Sequence, residues 1–314
     1  MNKCILICCL GWLYGFSLNA VAAEPQELSD AFADFAEFTE LPEFDESSVP
    51  LVLTVTRIKQ HQADVPASVT ILDSEFISRL GSNNLAEILR YVPGIMMGPD
   101  KGNNVDSLNY HGGESALPKN LQVLVDGRSM YRAGLASVSW YEMPVAIADI
   151  ERIEVVRGPN SASYGANAYQ AVINILTKHP SDTYGTKVAY EGGENGQKDV
   201  FLRQGGHINE TDYRVSYTQK RDEGFSDSND IREARFLNAN SYVHLGAAGE
   251  LELSLVLSDS MRALRKQLSI GEDEIQTNAN KVDETRSEIG MQWTKDFNSK
   301  HQLSVKSYVT YMEK

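Results

Sequence analysis

The stretch that most constrains this chain is residues 145–178, VAIADIERIEVVRGPNSASYGANAYQAVINILTK, where two apolar runs flank a connection rich in small, turn-forming residues. Ile153, Val155 and Val156 are β-branched, and their run is closed by Arg157-Gly158-Pro159; Val172, Ile173 and Ile175 form the second run. Short β-branched runs bounded by glycine and proline predict strands. The segment therefore reads as strand, connection, strand, with Gly158 and Gly165 allowing backbone conformations that a Cβ forbids.

The catalytic signatures G-x-S-x-G, G-x-x-x-x-G-K and H-E-x-x-H do not occur. Histidines 61, 111, 179, 207, 244 and 301 lack metal-ligand spacing, and no base is placed beside Ser161 or Ser163. The expectation is a protein that is not an enzyme, with no cofactor and no metal site.

At the N-terminus, Lys3 precedes an apolar run from Cys4 to Leu18, followed by Ala20-Val21-Ala22-Ala23. The run is shorter than the roughly 20 apolar residues needed to cross a bilayer. Residues 1–23 therefore read as a cleaved signal peptide. Cys4, Cys8 and Cys9 all lie within it, so the mature chain has no thiol for a disulfide or a metal. The net charge is -14. Much of it sits in residues 24–48, which carry nine carboxylates and no base. Such a segment repels itself and reads as an acidic leader, extending over 24–57. The balance offers no basic face for nucleic acid.

Pro50, Leu51, Val52, Leu53, Thr54, Val55 and Thr56 form an uncharged extended run on that leader. Two readings stand: a strand that adds itself to a partner's sheet edge, or the first strand of the next domain. From there, VPASVTIL predicts a strand, Asp73 caps a helix that Gly81 ends, and Asn84 to Glu87 has capping-box spacing before an apolar stripe that stops at Pro93. Asp126-Gly127 is a tight-turn signal after an alternating strand, Leu121 to Val125. Three polar loops, 97–109, 112–120 and 129–143, are places where binding residues concentrate. Tyr131, Arg132, Trp140 and Tyr141 offer aromatic faces and a cation there.

Beyond Tyr184 the pattern changes to period two. Leu251, Leu253, Leu255 and Leu257, for example, alternate with Glu252, Ser254 and Val256. Seven such segments are expected, near 184–191, 197–205, 211–220, 235–245, 249–258, 284–296 and 301–312. A membrane β-barrel and a soluble sandwich share this pattern.

Several phrases together settle the choice: DVPASVTIL, NLAEILRYVPGI, LQVLVDGR and then IEV, RGP, YGANA and VINILTK in unbroken order. This wording resembles the plug and first barrel strands of TonB-dependent outer-membrane receptors. The resemblance implies an α+β plug domain (58–180) followed by antiparallel transmembrane β-barrel strands (181–314) in an incomplete barrel, in the outer membrane of a Gram-negative bacterium. Its motif residues would be Asp126, Gly127, Arg157, Gly158, Pro159, Tyr164, Gly165 and Asn167, with Arg157 buried against barrel carboxylates. Pro50–Thr56 would be the TonB box, gripped by the TonB energy-transducing protein, although Pro50 and Leu53 depart from its commonest wording. The remaining partners would be outer-membrane lipid and a small metal-chelate substrate, most often a ferric siderophore, with cobalamin, haem or another metal complex as alternatives. A non-transporting surface-binding β-protein is the rival class. Tyr110-His111-Gly112 stands where the family usually has Arg-Gly, which makes His111 a candidate ligand-discriminating residue beside Tyr131, Arg132, Trp140 and Tyr141.

Overall fold

The computed structural model describes residues 51–55, 60–100, 105–111, 120–132, 138–224, 230–263, 281–298 and 301–313. The expected signal peptide, the leader up to Pro50, and Thr56 lie outside them. The constraining segment folds as read: β8 (Ile150–Arg157) and β9 (Ala171–Thr177) pair antiparallel, joined through a one-turn helix, α3 (Ser161–Tyr164). They form the centre of a five-stranded sheet. β3 (Ser68–Asp73) lies beside β8, and beyond β9 come β6 (Leu121–Val125), parallel to it, and β7 (Arg128–Ser129). All five β6 residues are buried, so the strand does not alternate as expected. Both its faces are covered, which favours a continuous apolar run.

On one face of the sheet, Val123, Val125, Ile153, Val155, Ile173 and Ile175 pack against α1 (Ser74–Leu80), α2 (Leu85–Leu89) and the hairpin of β4 (Ile95–Asp100) with β5 (Val105–Tyr110). Burying each such side chain contributes roughly 1.5–3 kcal/mol. The hairpin replaces most of the expected loop 97–109, because Ile95 and Leu108 are core residues. The helix ends follow the sequence signals. Asp73 Oδ1 accepts from Phe76 N at 2.7 Å, and Gly81 takes φ +62°. Asn84 Oδ1 accepts from Ala86 N at 2.9 Å, but Glu87 accepts from Ser82 Oγ at 2.7 Å, so the capping box is not reciprocal. Asp126 and Gly127 take φ +48° and +75°, the turn signature expected of them.

The other face carries a smaller cluster that includes Leu124, Val156, Val172 and Val52. Val52 belongs to β1 (Leu51–Val52), which pairs with β2 (Gln60–His61).

The chain then becomes a seven-stranded antiparallel meander: β10 (Gly185–Gly192), β11 (Lys198–Ile208), β12 (Thr211–Asp222), β13 (Arg232–His244), β14 (Glu250–Ala263), β15 (Lys281–Asn298) and β16 (His301–Glu313). One side of the meander carries exposed Val188, Leu202, Val215, Leu253, Leu257, Ile289, Val305 and Val309. Most strands reach or exceed the ~9–11 residues needed to cross a bilayer. The opposite side faces the plug. β11 and β12, and β13 and β14, are joined by short turns at the end where the plug enters through residues 178–184, while the connections from β12 to β13 and from β14 to β15 at the other end are longer. A membrane barrel has this polarity, with short periplasmic turns and long outer loops. At Gly205 a Cβ would come within 2.1 Å of the Thr183 carbonyl, so only glycine lets the entering chain lie against β11.

Candidate functional site

The first site is the docked segment Leu51–Val55. Leu53 N and Thr54 N donate to Glu154 Oε2 at 3.0 and 2.8 Å, and Thr54 Oγ1 donates to the same oxygen at 2.5 Å. Glu154 is fully buried and is held in turn by Arg152 Nε at 2.8 Å. Asn174 Nδ2 reaches Thr54 Oγ1 at 3.1 Å, and Asn160 Nδ2 reaches the Val55 carbonyl at 3.3 Å. The segment is therefore neither free nor a member of the central sheet. It is tied by polar groups that stand in apolar strands. Glu154 in IERIEVVR and Asn174 in VINILT were readable as polar breaks in buried runs, but sequence reasoning passed over them.

Of the motif residues, Asp126 Oδ1 accepts from Thr177 N at 2.8 Å, tying the β6–β7 turn to β9, and Gly127 N donates to Asn174 Oδ1 at 3.3 Å. Gly158 N donates to the Gln170 carbonyl at 2.8 Å, and Gly165 N to that of Ser161 at 2.9 Å, closing the connection. Pro159 is exposed at its tip, Asn167 is half-buried, and Tyr164 packs under the Val52 cluster. Arg157 Nη2 donates to Ser68 Oγ at 2.6 Å on β3. It meets no barrel carboxylate among the described residues.

Other arginines make the plug-to-wall contacts. Arg128 Nη1 lies 2.7 Å from Glu288 Oε1 on β15 and 3.2 Å from Ser254 Oγ on β14. Arg132 pairs with Glu142 of the plug and, through Nε at 3.0 Å, with Glu284; Arg262 Nη1 reaches Glu142 at 3.1 Å. Burial pulls the Arg132 pKa down to about 10 against the opposing pull of Glu284, so the guanidinium stays charged at neutral pH. Across the plug, Asp149 receives Arg203 at 2.9 Å and Ser216 Oγ at 2.5 Å.

The residues expected to touch a ligand are not brought together. Trp140 is 2 % exposed and belongs to the plug core, and Arg132 is consumed by its ion pairs; neither is an outward contact as expected. The Tyr131 hydroxyl donates to the Leu121 carbonyl, and burial raises its pKa. Tyr141 lies beneath the Arg232 guanidinium, 4.3 Å from ring centroid to Cζ, with its pKa also raised by burial. His111 is exposed at φ +53°, its N donating to the Gly94 carbonyl at 3.1 Å and its ring against Tyr110. The outward-facing polar group is instead Tyr141, Arg232 and Asp106, with Arg232 at 3.5 Å from Asp106 and 2.8 Å from Asp222. Its barrel half came from strand tips that period-two reading does not single out.

Residues 61–172 match the TonB-dependent Receptor Plug Domain family. The vitamin B12 transporter BtuB of Vibrio vulnificus is 32% identical over 150 residues, 48% of this chain and 24% of its own. Among solved structures, P. aeruginosa FpvA bound to heterologous pyoverdines aligns at TM-score 0.64 with 17% identity, over 82% of this chain and 35% of its own. The ferric-catecholate import receptor Fiu of E. coli K12 aligns at 0.63 with 19% identity, over 81% and 40%. Each of these likenesses covers less than half of the relative's length, and the structural ones establish the fold. The plug match and the strand meander together make residues 61–172 similar to a TonB-dependent receptor plug domain, followed by antiparallel strands with the fold of such receptors' barrels.

Proposed function

We propose that the chain is the plug-bearing portion of a receptor for active uptake of a scarce metal chelate, with Pro50–Thr56 as the segment gripped by the TonB energy-transducing protein. The observation that carries the reading is the docking of Leu51–Val55 on the buried Glu154 carboxylate. A strand-forming segment tied by a few polar contacts can exchange them for backbone bonds to a partner's sheet edge. In the full-length receptor, Leu53→Pro removes the Leu53 N–H and the extended geometry. Uptake is expected to fall to background while surface binding of ligand stays within about twofold, since the ligand meets the opposite face. Unimpaired uptake would overturn the assignment.

The substrate in this reading is a ferric siderophore, supported by the cargo named for the solved receptors of like fold, a pyoverdine for FpvA and a ferric catecholate for Fiu. A second reading, cobalamin, is favoured by the sequence relative that is a vitamin B12 transporter. Growth of a strain dependent on the full-length receptor separates them. Rescue on ferric siderophores is expected, and rescue only of cobalamin-limited growth replaces the first reading with the second. Rescue by haem alone, lost in His111→Ala, would replace both.

A further inference from the structure

A cavity of about 290 Å³ lies between α1 and the inner faces of β10, β11 and β12. Ala146, Ala148 and Ala189 face it, and their small side chains leave the room. Three polar groups on its wall are incompletely satisfied. Lys220 is 7 % exposed and donates to the Asn83 carbonyl at 3.3 Å, with no carboxylate within 4.0 Å among the described residues. Thr218, 5 % exposed on the same face of β12, has no partner for Oγ1. Asp199 stands opposite Lys220 in the β11–β12 register, and its Oδ1 has no partner. Lys178 and Lys187 line the same space, and its other carboxylate, Glu191, is engaged by the Asn83 amide.

Buried ammonium groups are normally paired, and buried polar atoms without a protein partner call for water or ligand. A ligand that completes this set accepts from Lys220 and Thr218 and donates to Asp199. We propose that the cavity is a binding site for an oxyanion carrying an adjacent hydroxyl, with an α-hydroxycarboxylate group the simplest case, presented by the imported chelate on its way past the plug. The route rests on the uptake reading; the binding chemistry does not.

The test uses the full-length receptor folded in detergent. The sequence has no cysteine after Cys9, so Ala189→Cys places a single thiol from this region in the cavity. Its rate of modification by a water-soluble methanethiosulfonate reads occupancy. Millimolar citrate is expected to slow the reaction. Tricarballylate, equally charged but without the hydroxyl, should be about tenfold weaker, the scale of one hydrogen bond to a charged group. Lys220→Gln should abolish protection, and Asp199→Asn should make the two acids equivalent. Ser78→Cys, on the α1 side, gives the same readout should the β10 variant not fold. No slowing by citrate, equal slowing by both acids in the parent, or protection that survives Lys220→Gln each overturns the proposal. None of these readouts depends on transport, so a receptor that fails to take up any ligand would sink the uptake reading and leave this one standing.

Discussion

At the scale of single residues, Glu154 holds the docked segment. Hydrogen bonds to a charged group contribute about 1.5–3 kcal/mol each, and one oxygen of Glu154 takes three of them from Leu53 and Thr54. Glu154→Gln keeps an acceptor but removes the charge, weakening each bond. The expected result in the full-length receptor is that a Leu53→Cys thiol becomes labelled at least about tenfold faster, for a loss of roughly 1.4 kcal/mol. An unchanged labelling rate would mean that the Val52 contacts, not the carboxylate, hold the segment. The Asp126-Gly127 turn and the Asp73 cap were legible because the first follows from a turn type and the second has its partner three residues on. Trp140 and Arg132 were misread for the converse reason. Both stand in a polar, loop-like stretch, and only the tertiary fold turns Trp140 into the core and puts Glu284, far along the chain, beside Arg132.

Among elements, the contact of β7 with β14 and β15 is electrostatic rather than apolar. Glu288 is shared by Arg128 of the plug and by Arg286 at 2.7 Å on its own strand. Glu288→Gln leaves two buried guanidiniums facing each other across the seam. Removing one member of a buried pair costs about 3–5 kcal/mol, and the low end is expected because Asp126 remains 3.6 Å from Arg128. Denaturant unfolding of the full-length receptor, followed through emission of the plug tryptophan Trp140, should shift to a lower midpoint, by that free energy divided by the denaturant slope. An unshifted midpoint would show that the seam adds nothing to plug retention. All seven wall strands were readable from period two, since one face meets lipid and the other the plug. β4 and β5 were not, because they pair as a hairpin with mixed polarity and glycine and proline within it.

For the whole molecule, the decisive property is that β10 and β16 each pair on one side only among the described residues. Seven strands are too few for a closed barrel: small membrane barrels have eight, and plugged outer-membrane transporters close with about 22. Unpaired N–H and C=O groups cost several kcal/mol each in hydrocarbon. A belt that includes Val188, Val305, Val309 and Tyr311 also brings these two edge strands to the lipid. The edges must therefore be met, either by further strands of a longer chain or by another copy of the same sheet. A polypeptide of this sequence alone, refolded in detergent, is accordingly expected to associate edge to edge, giving light-scattering masses at multiples of the 34.8 kDa chain, less any cleaved leader. Lysine substitution at outward positions of both edges, Val188→Lys with Val309→Lys, should shift the distribution toward monomer, as charged edges do in soluble sheets. A monodisperse monomer from the unmodified sequence would mean that the sheet closes or covers its own edges and needs no further strand or second copy to meet them.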